Sequence, residues 1–454
     1  MTVDSVPIKV ISMDSDGLDL LKIHHRHPTR YPFLLESVAR GTLGRYDILF
    51  AFPQQTLTCE QPEDAPQFMD AFNRAFQSAQ LNALETDLPF HGGWFGYFSY
   101  EYAQVVEPTL KLPQSDLPLA KLIRIPAAII QDHQTRQIHF MVEAEFEHLL
   151  TDLEADYEQA KSVEWLNSAI QIDAQSQEPP QKYLQGVETI KDYILAGDVF
   201  QVNLSREWQV SLKQGDGDYQ TLYRSLRQHN PAPFAACVNW GDWQILSSSP
   251  ERLVKTHQGW VDTRPIAGTR QRSLQKTQDQ ALMAELISHP KEIAEHIMLI
   301  DLERNDLGRI CQPGSVTVNE LMAVESYQHV HHIVSNVRGK LNAGLSPLQV
   351  IHATFPGGTI TGCPKVRCME IIAELEQMPR KAYTGSLGYI NRDGSMDFNI
   401  LIRTLLQQGD QVSFRAGAGI VADSDPHKEL QESAHKAKGL LDALGSGELG
   451  YESK

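Results

Sequence analysis

Residues Tyr183–Leu204 read YLQGVETIKDYILAGDVFQVNL, and two different periods meet inside them. Val187, Ile190, Ile194 and Leu195 recur at helical spacing, and Gly197 stands where a helix would end in the left-handed region. Phe200, Val202 and Leu204 then alternate with Gln201 and Asn203, the pattern of a half-buried strand. Helical and strand patterns keep alternating to the C-terminus. Turn signals such as Asn391-Arg392-Asp393-Gly394 fall between strands, which predicts hairpins and largely antiparallel pairing. The expected fold is α/β in the α+β sense, a large two-lobed antiparallel β-sheet sandwich with peripheral helices.

Upstream of this stretch, short apolar runs such as Tyr46–Phe52 (YDILFAF) and Ile125–Ile130 (IPAAII) suggest strands. Gly92-Gly93-Trp94-Phe95-Gly96-Tyr97 suggests a strand or bend where backbones approach closely. Ile170–Lys182 is polar and carries a Pro pair, so it reads as a linker or long surface loop. The expected organisation is an N-terminal region over 1–170 and a catalytic domain over 182–450, intertwined as one body. The chain has 454 residues, 41% hydrophobic and 21% charged, with a formal net charge of −17. That size and balance fit a globular protein with a large core. The charge disfavours nucleic acid and anionic membrane as partners. No signal peptide and no apolar run long enough to span a bilayer is visible, and five cysteines fit a reducing cytoplasm. Cys363 and Cys368 read as buried small hydrophobes rather than metal ligands. An anionic substrate would require local positive charge.

Four segments could carry chemistry. Asp425 and Pro426 open a helix running to Gly445, with Leu430, Ala434, Ala437, Leu441 and Leu444 as its apolar stripe. Glu429, Glu432 and Lys436 share another face. They could hold a hard cation and an anion, or form a solvated salt-bridged face. Pro290 opens a second helix in which Ile293, Ile297 and Ile300 mark the apolar side. There Glu295, next to His296, is either a structural ion or a metal ligand. Phe355–Lys365 (FPGGTITGCPK) is a glycine-rich loop feeding a helix, able to favour an anion or simply to turn. It lacks the Lys-Ser/Thr pair of a nucleotide P-loop, which excludes ATP and GTP on that ground. Finally, Ile400–Leu406 (ILIRTLL) reads as a strand with Arg403 in its apolar middle. A buried guanidinium needs an anion, from the protein or from a substrate carboxylate. The following Arg415–Ile420 (RAGAGI) offers backbone N–H groups to a ligand, and Tyr389 could add a hydroxyl.

Taken together, SSSPERL, RPIAGTR, EHIMLIDLERNDLGRI, HVHHIVS, FPGGTITGCPKVRCMEII, ILIRT, AGAGIVADS and LQESAHK resemble, in order, the chorismate-binding enzyme family. The likeness covers essentially everything after residue 182, and FLLES and GRYDIL resemble its amidating branch. The resemblance implies Mg²⁺ ligated by Glu295 and Glu432 with Glu429 close by, holding the ring carboxylate of chorismate. It implies that Arg403 and Tyr389 grip the enolpyruvyl carboxylate, helped by the backbone of Gly417, Ala418 and Gly419. Gly268 and Thr269 would lie along the substrate, Glu251 would be the general acid near the C4 hydroxyl, and His332 and Thr359 would line the ring. Mg²⁺, Arg403, Lys436 and backbone dipoles would then answer the charge problem.

The attacking group separates members of that family. Isochorismate and salicylate synthases carry a water-activating lysine where this chain has Gln201, so the resemblance implies ammonia, which needs no such base. No glutamine amidotransferase segment is present, so ammonia would come from a separate glutaminase subunit. Many aminodeoxychorismate synthases carry a nucleophilic lysine in PIKGT. Here the motif is Pro265-Ile-Ala-Gly-Thr269, and Ala267 cannot attack. PIAGT is typical of anthranilate synthase, but FPGGTITGCPK, GRYDILFAFPQ and Asn230-Pro-Ala-Pro-Phe234 resemble the aminodeoxychorismate enzymes. Ser37, with Pro233 and Phe234, leaves a vestigial tryptophan pocket open. The expectation is an aminodeoxychorismate synthase component I working through noncovalent 2-amino-2-deoxyisochorismate. The alternatives are anthranilate synthase component I and a catalytically silent chorismate- or tryptophan-binding regulatory subunit.

Overall fold

The computed structural model describes residues 7–39, 44–165, 169–213, 218–273, 275–326 and 330–446. Two antiparallel sheets of twelve and ten strands dominate it. The first runs, from one edge, through Ile8–Asp14, Gln137–Glu143, Ala127–Asp132, Tyr46–Ala51, Phe33–Glu36, Phe234–Asn239, Trp243–Ser249, Thr404–Gln408, Gln411–Ile420 and Gln201–Leu212 to Gly362–Cys363. The second runs from Ile266–Gln271 through Val330–Lys340, Trp260–Arg264, Arg252–His257, Met396–Asn399, Ser386–Asn391, Gly93–Phe98 and Ala120–Ile125 to Thr56–Cys59. Each sheet thus takes strands from both sides of residue 170.

Both faces of the central strands are buried, which is why they read as continuous apolar runs. Ile48, Phe50, Ala128, Ile130, Phe95 and Tyr97 point into a core between the sheets. Their neighbours Leu49, Ala127 and Ile129 pack outward under helices on the first sheet, and Trp94 and Phe98 pack outward from the second. The helix Pro180–Ala196 ends at Gly197 with φ +85°, as its sequence predicts. The helix Pro426–Leu444 is capped by the Asp425 side chain and stops at Gly445 with φ +72°. Its fully buried stripe uses Leu440 and Ala443 rather than Ala434 and Leu441.

Two expectations need correcting. The Ile170–Lys182 segment is not a loop. Ile172–Gln177 adds an edge strand to Gln201–Leu212, and the next helix already begins at Pro180. An edge strand can be polar on both faces, because backbone pairing rather than burial holds it. In addition, Ile297 and Leu195 are exposed, despite their helical spacing.

A buried charge network fastens the helix Lys365–Glu376 to the first sheet. Glu376 accepts from Arg380 at 2.7 and 2.9 Å, from the Ser205 backbone and hydroxyl at 2.9 and 2.8 Å, and pairs with Arg415 at 3.2 Å. Arg380 also donates to the carbonyls of Asn203 and Ile360. Burial alone would raise the Glu376 carboxyl, but Arg380 and Arg415 outweigh it and hold the group below its ordinary range. Removing one member of such a set leaves uncompensated buried charge. Glu376→Ala is therefore expected to destabilise the fold by about 3–5 kcal/mol, read as a lowered urea midpoint. An unchanged midpoint would show that the two arginines find other partners.

Candidate active site

Two neighbouring strand pairs change sheets side by side. Trp243–Ser249 lies in the first sheet and Arg252–His257 in the second, with Pro250 and Glu251 between them. Met396–Asn399 lies in the second sheet and Thr404–Gln408 in the first, with Ile400–Arg403 between them. The crossings are stitched together. The Ile400 N–H donates to the Glu251 carbonyl at 3.0 Å, and the Ser248 N–H to the Arg403 carbonyl at 3.1 Å. Ser249 adds a hydroxyl bond to the Ile400 carbonyl. ILIRTLL is therefore not one strand, since Arg403 occupies a bend at φ +52° just before the strand begins. A left-handed non-glycine residue is a costly local conformation, and the stitched crossings hold it there.

Glu251 and Arg403 face each other across this seam. Glu251 is buried, and burial pushes its carboxyl up to about 7. The Thr359 hydroxyl, the Ile266 backbone, Arg403 and Lys436 pull the other way. Neither Glu251 Oε1 nor Thr359 Oγ1 completes a well-formed hydrogen bond among the described residues. Burial also lowers the Arg403 guanidinium, with Glu251 the one charge that opposes this. No hydrogen bond or ion pair to that guanidinium is found among the described residues. His332 is buried, and burial together with Arg403 pushes its imidazole down to about 3, so it is neutral. It lies against the Gly268 backbone, and Thr269 pairs with it in strand register.

The wall opposite comes from the first sheet. Gln201 lies flat on Gly419, and a Cβ at that glycine would collide with its amide. Asn203, two residues along the same strand face, stands opposite Gly419 in register and reaches the Thr359 carbonyl at 3.5 Å. Gln201 Oε1 and Asn203 Oδ1 are both buried without partners among the described residues. Ala418 and Gly417 continue the strand, and Lys436 donates to the Gly417 carbonyl at 3.0 Å. Ala267 is buried in the facing strand. Gly268, at φ +66°, lets Glu292 approach, since a Cβ there would stand 2.8 Å from the Glu292 carboxylate.

Other expected residues are placed less closely. Glu429 is buried, and both it and Glu432 act on the buried Tyr183 hydroxyl. Glu432 is half-exposed and pairs with Lys436 at 2.8 Å. Glu295 lies on the helix Pro290–Gly308, beside a buried His296 that bonds Ser335 at 2.6 Å and is neutral through burial. Among the described residues, no three His, Cys, Asp or Glu side chains gather around a point that could hold a metal. Tyr389 is not brought to the seam. It packs with Phe50 and Phe90 between the sheets, where strand alternation turns it inward. Tyr383 instead stands near Arg380, Arg415 and Tyr183, on the Glu429 side. Ser37 donates to the Pro233 carbonyl at 3.3 Å and borders a cavity of about 390 Å³ with Glu36, Asp47, His133, Trp165 and Arg227. Phe234 lies under the Arg252 guanidinium.

Sequence reasoning missed Asn203 and Glu292. Asn203 was within reach, because it shares the face of Gln201 in FQVNL. Glu292 is placed by contacts distant in sequence, with the Gly268 backbone and with Arg270 at 3.1 Å.

The fold and this seam define a class, and comparison with known proteins names it. A chorismate binding enzyme family model matches residues 31–442, and the chain belongs to that family. Among relatives, an anthranilate synthase component I-like protein of Synechocystis is 43% identical, covering 88% of this chain and 83% of that protein. The Bacillus subtilis aminodeoxychorismate synthase component 1 is 40% identical, covering 91% and 92%. The crystal structure of anthranilate synthase component I from Streptococcus pneumoniae superposes with a TM-score of 0.76 at 31% identity, covering 88% and 93%.

The seam's electrostatics can be tested without substrate. Replacing Arg403 by Gln removes the nearest positive charge and is expected to raise the Glu251 midpoint by about one pH unit or more. The infrared band of the protonated carboxyl, assigned by its loss in Glu251→Gln, reads this. An unmoved midpoint would mean that the two groups do not share a site.

Proposed function

We propose that the chain is an aminodeoxychorismate synthase component I, making 4-amino-4-deoxychorismate from chorismate and ammonia. The observation that carries this reading is the seam itself. A buried carboxyl held near neutral pH faces an arginine without a protein anion, and the opposite wall offers a glutamine in place of a base. Arg403 takes a substrate carboxylate in a bidentate grip. Lys436 and the Gly417–Gly419 backbone lie close by. Neutral His332, Thr359, Ala267, Gly268 and Thr269 shape the ring's surroundings.

Hydroxide is a poor leaving group, and Glu251 protonates the C4 hydroxyl as it departs. Ammonia attacks C2, so water leaves and 2-amino-2-deoxyisochorismate forms. A second ammonia attacks C4 and the C2 amine departs as ammonia, for a net exchange of hydroxyl for amine. Ala267 has no nucleophile, so the intermediate stays noncovalent. Gln201 and Asn203 present carbonyl oxygens, without partners among the described residues, that accept from ammonia, and neither amide is a base that could activate water.

Mg²⁺ is the proposed cofactor, with Glu295, Glu429 and Glu432 as its ligands, to neutralise the ring carboxylate. Their carboxylates suit a hard cation, yet among the described residues they are not gathered around one point. A glutamine amidotransferase subunit in the cytoplasm is the proposed ammonia source. Among the described residues no helix is long and apolar enough to cross a membrane.

Anthranilate synthase component I is the second reading, favoured by Ala267 and by the cavity at Ser37, which would be its tryptophan pocket. Incubation with chorismate, Mg²⁺ and ammonium salt separates the two. The expected result is 4-aminobenzoate only after a lyase is added. Direct release of fluorescent anthranilate and pyruvate would establish the second reading, and no turnover at all would favour a silent regulatory subunit.

A further inference from the structure

A second carboxyl stands behind the seam, on the helix Pro290–Gly308. Glu303 is buried although it lies in the charged run Glu303-Arg304-Asn305-Asp306. It lies close to Gly358. The helix presses Leu302 directly onto that glycine, and a Cβ there would stand 3.7 Å from Glu303 Oε1. Thr359, the next residue, is the hydroxyl beside Glu251. Two carboxyls thus flank one short stretch of backbone, Glu303 at Gly358 and Glu251 at Thr359. The Thr263 hydroxyl stands by Glu303 and, like Thr359 Oγ1, lacks a well-formed partner.

The surrounding charges are few. Lys365 is committed to Asp306 at 2.6 Å, and Asp306 also takes Arg309 at 2.8 Å. Asp306 on the same helix repels Glu303, Lys365 from the neighbouring helix attracts it, and Glu251 repels it from the seam. On the Glu251 side stand Arg403 and Lys436. Burial pushes the Glu303 carboxyl up to about 8 and Glu251 up to about 7. Two carboxyls in one buried patch do not both ionise readily, and their protons leave in two steps belonging to the pair.

We propose that Glu303 is a positioning residue that shares protons with Glu251, keeping the seam supplied with one after Glu251 would otherwise have ionised. This rests on the proposed role of Glu251 as the proton donor to the departing hydroxyl. Glu303 touches neither substrate nor reacting atoms. It extends the pH range over which Glu251 can donate, and the proton it gives up is regained from solvent after turnover.

Two measurements on the full chain test this separately. The infrared titration of buried carboxyls, without substrate, is expected to show two steps, near pH 7 and near pH 8. Glu303→Gln should leave only the lower step. In Glu251→Gln the remaining Glu303 step should fall towards lower pH, which decides the matter even if Glu303→Gln does not fold. An upper step that persists in Glu303→Gln, or a Glu303 step that ignores Glu251→Gln, would overturn the proposal. The second measurement is kcat/KM for chorismate against pH at constant free ammonia. Glu303→Gln should match the unmodified enzyme near pH 6 and fall to roughly a tenth of it above pH 8. A uniform loss at every pH would reduce Glu303 to a structural role. Coupled infrared steps without chorismate turnover would instead leave the carboxyl pair intact and sink the assigned reaction.

Discussion

Everything at the site depends on how the two strand crossings are joined. Glu251 and Arg403 each sit where a strand leaves one sheet for the other, and backbone hydrogen bonds from Ile400 and Ser248 tie the crossings together. The crossings place Glu251, Arg403, Thr359 and His332 within electrostatic reach of one another. Because the surroundings are buried, the Glu251 carboxyl is pushed up to about 7, and among the described residues no hydrogen bond or ion pair is made to the Arg403 guanidinium, on which Glu251 acts through its charge. A net charge of −17 makes such a place improbable for an anionic ligand on the surface at large. The seam reverses that locally through Arg403, Lys436 and a Glu251 carboxyl that burial pushes up to about 7.

Rigidity comes from the elements that meet the seam. The Glu376–Arg380–Arg415 network binds a helix, the glycine-rich loop and the strand of Gln201 and Asn203 into one block. Gly358 and Gly268 allow the helix Pro290–Gly308 to press its carboxylates close to backbone on both sides. Glycine serves here by close approach, and at Gly268 also by its positive φ. The same helix therefore carries Glu292 towards one strand and Glu303 behind the crossing.

Much of this was legible in the sequence, and the failures have physical reasons. Helix ends at Gly197 and Gly445 and the hairpin at Gly394 followed from local chemistry, which does not depend on distant partners. Glu251, Arg403, His332 and Thr359 do come together, although in sequence they are spread over more than a hundred residues. Arg403 was misread as mid-strand because Ile400–Leu406 is apolar throughout. Periodicity is silent when a chain passes from one buried face to another. Tyr389 was drawn to the site by resemblance, but alternation in its strand fixes it in the aromatic core. Ile172–Gln177 hid as a loop because an edge strand needs no apolar face. Glu303 could not be found from sequence, since it lies in a charged run and its neighbours Gly358 and Thr263 are distant along the chain.

The central claim is that Arg403 waits for a substrate carboxylate. Equilibrium titration of chorismate into the unmodified chain and into Arg403→Gln tests it most directly, with Arg403→Lys as the charge-preserving control. Arg403→Gln is expected to weaken binding by at least about 100-fold, roughly 3 kcal/mol, and Arg403→Lys to recover only part of it, because lysine cannot grip both oxygens. Equal affinity for all three would contradict the account.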